Sequence, residues 1–331
     1  MTRTISLAAV SAATFCLLGC QAMAQPPVPS LSPSKSDALE ETRAALAAGE
    51  VSDELDAVAD AAEAGLETIP VRLDGVFSQG GMVTGKTEPG ARVTLDGERV
   101  GVDEEGNFLI GFGRDHGPTA ILAIEIPGGG RDEQALKIEP RTWLESRITI
   151  TDTNKVNPYK KEGLDKIRAD KKKKDDARAQ RAVLAYWTDG FEWPADGCIS
   201  SPFGYRRIVN GEPRRYHSGV DVAAPDGMDP SDYVGEDVLA PALGYVRLAE
   251  DDMFFEGGLI FLDHGQMLES ALMHLSRVDV EPGELVEKGQ VIGAIGSTGR
   301  STGPHLHWSL KWRDRLLDPA LVVEERGRCT D

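Results

Sequence analysis

The sequence predicts a mainly β protein of several parts: an antiparallel β domain over residues 191–325, a small β-sandwich-like domain over 69–150, and helical segments before and between them. Three observations predict it. Short alternating apolar and polar runs bounded by Gly and Pro fill both β regions, which is the period-two signature of half-buried strands. Helical spacing of three and four is confined to 35–67 and 155–190. The 331 residues, 40% hydrophobic and 27% charged, carry enough apolar material for more than one packed core, which excludes a disordered, collagen-like or many-disulfide chain.

Residues 1–24 read as a signal peptide. Arg3 supplies a positive start, and Ile5 to Gly19 is uncharged but shorter than the roughly 20 residues a bilayer span needs. Two processing sites fit. Ala22-Met23-Ala24 before Gln25 has the small-x-small form and is preferred, while Leu17-Leu18-Gly19-Cys20 resembles a lipobox that would leave a lipid anchor on Cys20. Either way the expectation is an exported protein, periplasmic or held at the cell envelope. No later stretch is apolar enough for a transmembrane span.

Residues 25–34 (QPPVPSLSPS) form a Pro/Ser-rich tether. Residues 35–67 read as an acidic helical segment in which ten acids face two bases, with Gly49 and Ser52 marking a break and a new cap. From 69 to 150 the runs ARVTL, NFLIGF and AILAIEI are punctuated by Pro89-Gly90, Asp96-Gly97, Glu105-Gly106 and Gly128-Gly129-Gly130, the pattern of a small all-β accessory domain. His116 in RDHGP is expected to be a turn residue. Residues 155–190 read as a basic helical linker, with eleven Lys and Arg against five acids up to Trp187. A solvated helix is expected there, and the alternative is a strip that holds an acidic wall polymer or the 35–67 helix.

The net charge of −18 excludes nucleic acid as a partner, because phosphate neutralisation needs a surplus of Lys and Arg. Beyond the signal two cysteines remain, Cys198 and Cys329, which bracket the second β region. They fit either a disulfide, which export permits, or two separate buried thiols.

Five of the six histidines fall in 191–325. His217 and Asp221 stand four apart in YHSGVDVAAP, a spacing that presents imidazole and carboxylate on the same side of a strand or a helix. His305 and His307 flank Leu306 in STGPHLHWSL, where strand alternation puts both rings on one face and Leu306 with Trp308 on the other. Imidazoles with one carboxylate are the ligand set of a catalytic zinc site, three protein ligands with a fourth position left for water. The Gly-rich GSTGRSTGP nearby allows close backbone approach.

HSGVD, the MHL around His274, VEKGQVIGAIGSTGRSTG and HLH, in this order over about 196–320, resemble the lysostaphin-type (LytM-like) zinc metallopeptidases that cleave peptide crosslinks of bacterial peptidoglycan. The resemblance implies that His217, Asp221 and His307 bind Zn²⁺, with His274 and His305 as the catalytic histidines. His264 in LDHG is expected to support the site, and Asp263 to orient a ligand imidazole. There are two departures from the family's pattern. DGMDPSDYV is inserted between Pro225 and Gly235, read as a solvated excursion or a narrowing of the cleft, and Leu272 stands where members commonly carry a Tyr hydroxyl. The implied function is a zinc metalloendopeptidase acting on peptidoglycan. The alternative is a non-catalytic wall-binding or hydrolase-activating module, of the kind that typically lacks one or more ligands.

Overall fold

The structure is a computed structural model and describes residues 71–149, 161–182 and 184–330. The expected signal peptide with Cys20, the Pro/Ser-rich tether and the acidic helix over 35–67 lie outside the described residues. Strands β1 (Arg72–Gly75), β2 (Met82–Lys86), β3 (Arg92–Leu95), β4 (Glu98–Val100), β5 (Asn107–Gly111), β6 (Thr119–Glu125) and β7 (Arg131–Lys137) form two sheets, ordered β1-β2-β5 and β4-β3-β6-β7. All of their ladders are antiparallel. In β6, Ala120, Leu122 and Ile124 turn inward while Thr119 and Ile121 face out, as the alternation requires. Asp96 and Gly97 both adopt positive φ, 51° and 80°, the two-residue turn that joins β3 to β4.

Next come β8 (Glu145–Ile148), helix α1 (Lys161–Arg178), β9 (Cys198–Ser201), β10 (Arg206–Val209), β11 (Glu212–Pro213), β12 (Val220–Ala223), β13 (Asp237–Leu239), β14 (Gly244–Met253), β15 (Gly257–Asp263) and β16 (Leu268–Leu275). The chain closes with β17 (Arg277–Val278), β18 (Leu285–Val286), β19 (Val291–Ala294), β20 (Leu306–Trp312) and β21 (Arg315–Leu317). The principal sheet runs β18-β14-β15-β16-β20-β12-β9 with β21 beside β20, and a smaller sheet runs β13-β19-β17. The protein is therefore mainly β, as the alternation predicts.

Among the described residues three buried clusters hold these layers, the third of them under α1. Val83, Val93, Leu95, Phe108 and Leu122 of the small sandwich share one cluster with Leu268, Leu310, Trp312 and Leu317 of the principal sheet. The sandwich is thus packed on the sheet, and β8 extends the union by pairing in parallel with β10. The second cluster places Val222, Ile260, Leu262, Leu272, Leu306 and Trp308 beneath the metal-ligand motifs.

Helix α1 departs from the expectation of a solvated linker. Its Ala177 covers Leu248, Met253, Leu259 and Phe261, so β15 is buried on both faces and reads as one unbroken apolar run. The basic residues meet acids of the sheet. Lys173 pairs with Glu250 at 2.7 Å, Lys174 with Glu256, and Arg178 with Glu269 at 2.7 Å, while Arg181 reaches Glu269 at 3.2 Å. Asp170 accepts a hydrogen bond from Phe254 N at 2.7 Å. The helix has little apolar surface, and ion pairs with residues distant in sequence fix its seat.

Cys198 and Cys329 are joined as a disulfide with Cα atoms 4.9 Å apart. Backbone bonds from Ile199 N to Gly327 O and from Cys329 N to Ile199 O lie beside it. The insertion after Pro225 is exposed at every residue from 226 to 234 except Tyr233, as a solvated excursion would be, and it is anchored at a few points. Asp229 caps the 3₁₀ turn Pro230–Tyr233, Tyr233 is buried with its hydroxyl donating to the Asp196 carbonyl, and Asp226 accepts from Thr330 N at 3.2 Å.

Candidate metal centre

Antiparallel pairing of β12 with β20 sets Asp221 directly opposite His307, and His217 lies four residues before Asp221. His217 Nε2 and His307 Nδ1 stand 3.0 and 2.8 Å from Asp221 Oδ1, and 3.0 Å from each other. Atoms about 2.0–2.1 Å from one tetrahedral ion lie roughly 3.3 Å apart, so this spacing is within a few tenths of an ångström of a zinc ligand set. The outer nitrogens complete the fit. His217 Nδ1–H donates to the Pro202 carbonyl at 2.9 Å, which can only accept, and His307 Nε2 lies 3.2 Å from Ser218 Oγ, a hydroxyl able to take its proton. The His217 ring therefore directs a lone pair inward, with its tautomer set from outside, and Ser218 lets His307 do the same. Burial opposes ionisation of Asp221, but His217 and His307, when their inner nitrogens carry protons instead of facing a metal, outweigh it and hold the carboxyl well below its usual range. Burial also lowers the pKa of His307.

His274 and His305 stand beside this trio. Their ring centroids are 4.8 Å apart, His274 is 6.3 Å from the His307 ring, and His305 Nε2 lies 3.7 Å from Asp221 Oδ1. His274, next to the last residue of β16, lies in the left-handed region, φ 67°, and is held on two sides. Its N–H donates to Glu256 O at 2.8 Å and its Nδ1–H to Thr298 O at 2.9 Å. His305 Nδ1–H donates to Gly303 O at 2.8 Å. Both rings thus keep Nε2 as an acceptor. Burial, with the neighbouring His305 adding, lowers the His274 pKa to about 4, so its imidazole is neutral at pH 7.

The sequence profile described as Peptidase family M23 matches residues 215–319, which span all five of these side chains. Residues 215–319 are a peptidase family M23 domain. The lysostaphin-type resemblance carried by the motifs is borne out at that level. The M23 domain is similar to DD-carboxypeptidase/endopeptidase Mpg of Neisseria meningitidis serogroup B, 37% identical over 125 residues, which is 38% of this chain and 27% of that protein. It is also similar to the peptidoglycan DD-endopeptidase ShyC of Vibrio cholerae, 37% identical over 112 residues, or 33% of this chain and 26% of that protein. The aligned part spans about a quarter of the length of these relatives. A crystal structure assigned to peptidase M23 from Pseudomonas aeruginosa superposes with a TM-score of 0.55 at 29% identity, covering 74% of this chain and 94% of that one.

Two expectations about the M23 domain need correction. Asp263 accepts from Ala182 N at 2.7 Å, from Gly265 N at 3.0 Å and from Arg247 at 3.0 Å, so its oxygens brace the β15 turn instead of orienting a ligand imidazole. His264 is fully buried, donating from Nδ1 to Leu243 O at 2.8 Å and accepting at Nε2 from Ser270 Oγ at 2.8 Å. Ser270 also accepts from Trp308 Nε1 at 3.1 Å, so His264 is a core polar residue, and burial lowers its pKa to about 4. Leu272 is fully buried in the core against the cross-strand Trp308. Three residues that serve the site went unread in the sequence: Pro202, Ser218 and Thr298. Ser218 and Thr298 lie inside the quoted motifs HSGVD and GSTG, whereas Pro202 contributes only a carbonyl, which residue type does not reveal.

Proposed function

We propose that this protein is an exported zinc metalloendopeptidase that hydrolyses peptide crosslinks of bacterial peptidoglycan. The observation that carries the reading is the convergence of His217 Nε2, Asp221 Oδ1 and His307 Nδ1, with outer nitrogens already bonded, beside two further imidazoles. His217, Asp221 and His307 would hold the ion. Bound there, zinc supplies Lewis acidity that polarises an amide carbonyl and makes water nucleophilic near neutral pH. His274 presents an unprotonated Nε2, held by the Thr298 carbonyl, that can take the water proton and return it to the leaving amine. His305, tied to Gly303 O and close to Asp221, is placed to share that proton and, once Nε2 is protonated, to donate to the developing oxyanion.

Export is supported by the leader-like sequence of residues 1–24 and by the Cys198–Cys329 disulfide, which suits an oxidising compartment. Retention of all five side chains disfavours the non-catalytic wall-binding or hydrolase-activating module. The test is metal analysis of the purified chain followed by mass analysis of products from defined crosslinked wall peptides. One zinc per chain with amide cleavage at the crosslink is expected, and a zinc-loaded chain that releases nothing from any wall preparation refutes the enzymatic reading.

A further inference from the structure

We propose that Arg114, contributed by the small sandwich, is a positioning residue for His217, so that the accessory β region completes the metal centre. The inference rests on the zinc reading above and adds a residue outside the M23 domain. Arg114 follows β5, is only 4% exposed, and its Nε donates to the Gly204 carbonyl at 2.9 Å. Its guanidinium lies between two rings, 4.9 Å from that of Trp143 and 5.1 Å from that of Tyr216. A second guanidinium nitrogen donates to Asp115 at 2.5 Å.

The segment 202–205 is what His217 leans on. Gly204 N donates to His217 O at 3.0 Å, His217 N donates to Tyr205 O at 2.7 Å, and His217 Nδ1–H donates to Pro202 O at 2.9 Å. Main chain and ring tautomer of one ligand are therefore set by Pro202, Gly204 and Tyr205 of the β9–β10 loop. That loop is clasped from the sandwich side by Arg114 and Trp143. Gly204 has φ 79°, and a Cβ there would lie 2.3 Å from the Trp143 ring, so the two are in close contact. Removing the guanidinium strips the buried Gly204 carbonyl of its donor and opens a gap between Trp143 and Tyr216, the residue directly before His217. Loss of a bond that orients a metal ligand typically costs about 10- to 100-fold in affinity, and productive geometry tolerates only about 0.5 Å.

A residue that merely stabilised the sandwich-to-sheet contact would lower thermal stability and leave the metal alone. The experiment therefore reads zinc affinity. On the full chain, zinc dissociation constants are measured by chelator competition and Co²⁺ absorption spectra are recorded for the wild type, Arg114→Met, Arg114→Lys and Leu317→Ala. Leu317 lies in the shared core and serves as the stability control. Arg114→Met is expected to weaken zinc about 10- to 100-fold and to alter the Co²⁺ bands. Arg114→Lys, which keeps one donor for Gly204 O, should recover part of the loss, and Leu317→Ala should lower the melting temperature while keeping wild-type affinity. If Arg114→Met does not fold, the comparison is decided on Arg114→Lys, expected to bind several-fold more weakly than wild type. Zinc held equally by wild type and the Arg114 variants overturns this inference alone, as does an equal loss in Leu317→Ala. A wild-type chain that holds no zinc overturns the zinc reading and this inference with it.

Discussion

His264 offers a test of burial in which the sign and size of a pH effect follow from one side chain. Its pKa is lowered to about 4 by burial, against about 6.5 in an unfolded chain. Between those values the unfolded state binds the proton and the folded state does not, so stability falls as pH falls through 6.5 and the loss levels off below 4. Moving from pH 7.5 to pH 5.0 should therefore cost about 2 kcal/mol through His264 alone. Other groups titrate in the same window, so the measurement is a difference between proteins. His264→Asn can keep the donor to Leu243 O but loses the acceptor for Ser270 Oγ, and should cost about 1–3 kcal/mol at pH 7.5. The assay is urea unfolding of both proteins in chelator at the two pH values. The gap between them should shrink by about 2 kcal/mol at pH 5.0. A gap of the same size at both values would show that His264 titrates alike in folded and unfolded chains, and would refute the burial argument.

His274→Ala should retain one zinc per chain yet lower turnover by about 10²- to 10⁴-fold, whereas Asp221→Ala or His307→Ala should release the metal, as metal analysis alongside kinetics would reveal. Glu269, 2% exposed, is held by Arg178 and Arg181, so Glu269→Ala leaves two partly exposed cations without their carboxylate. Chemical denaturation should register a loss of about 1–3 kcal/mol. Reduction of the Cys198–Cys329 bridge frees a separation of 131 residues and should cost about 2–5 kcal/mol, read as a lower urea midpoint in reductant. A chain cut to residues 190–331 uncovers Leu268, Leu310, Trp312 and Leu317, and should show a lower melting temperature or dye binding typical of exposed core.

Strand alternation made the shared face of the imidazoles and the carboxylate legible, while the choice of His217, Asp221 and His307 as the ligands came from the resemblance of the motifs. Asp221 and His307 occupy opposite positions of one antiparallel ladder, and Leu306 with Trp308 take the core side as period two demands. Cys198 and Cys329 could be suspected from their bracketing of one segment, although only three-dimensional closeness decides a bridge. The seat of α1 was not legible, because Glu250, Glu256 and Glu269 lie far along the chain and ion pairs leave no periodic trace. Sharing of one core between the sandwich and the sheet was hidden for a related reason. Trp312 and Leu310 read as core in any environment, and hydrophobicity does not name the partner. In RDHGP the eye falls on His116, while Arg114, set just after the apolar run NFLIGF, is the buried member.

The backbone of His274 sits where an L-residue with a Cβ is disfavoured by about 1–2 kcal/mol, and neighbours on both sides hold it there. A glycine at 274 would relax that torsion, but it would also empty the place of a buried ring and strip Thr298 O of its donor. The bend in the chain is thus inseparable from the ring it carries, since the same left-handed residue both turns the end of the strand and aims its imidazole towards His305 and His307.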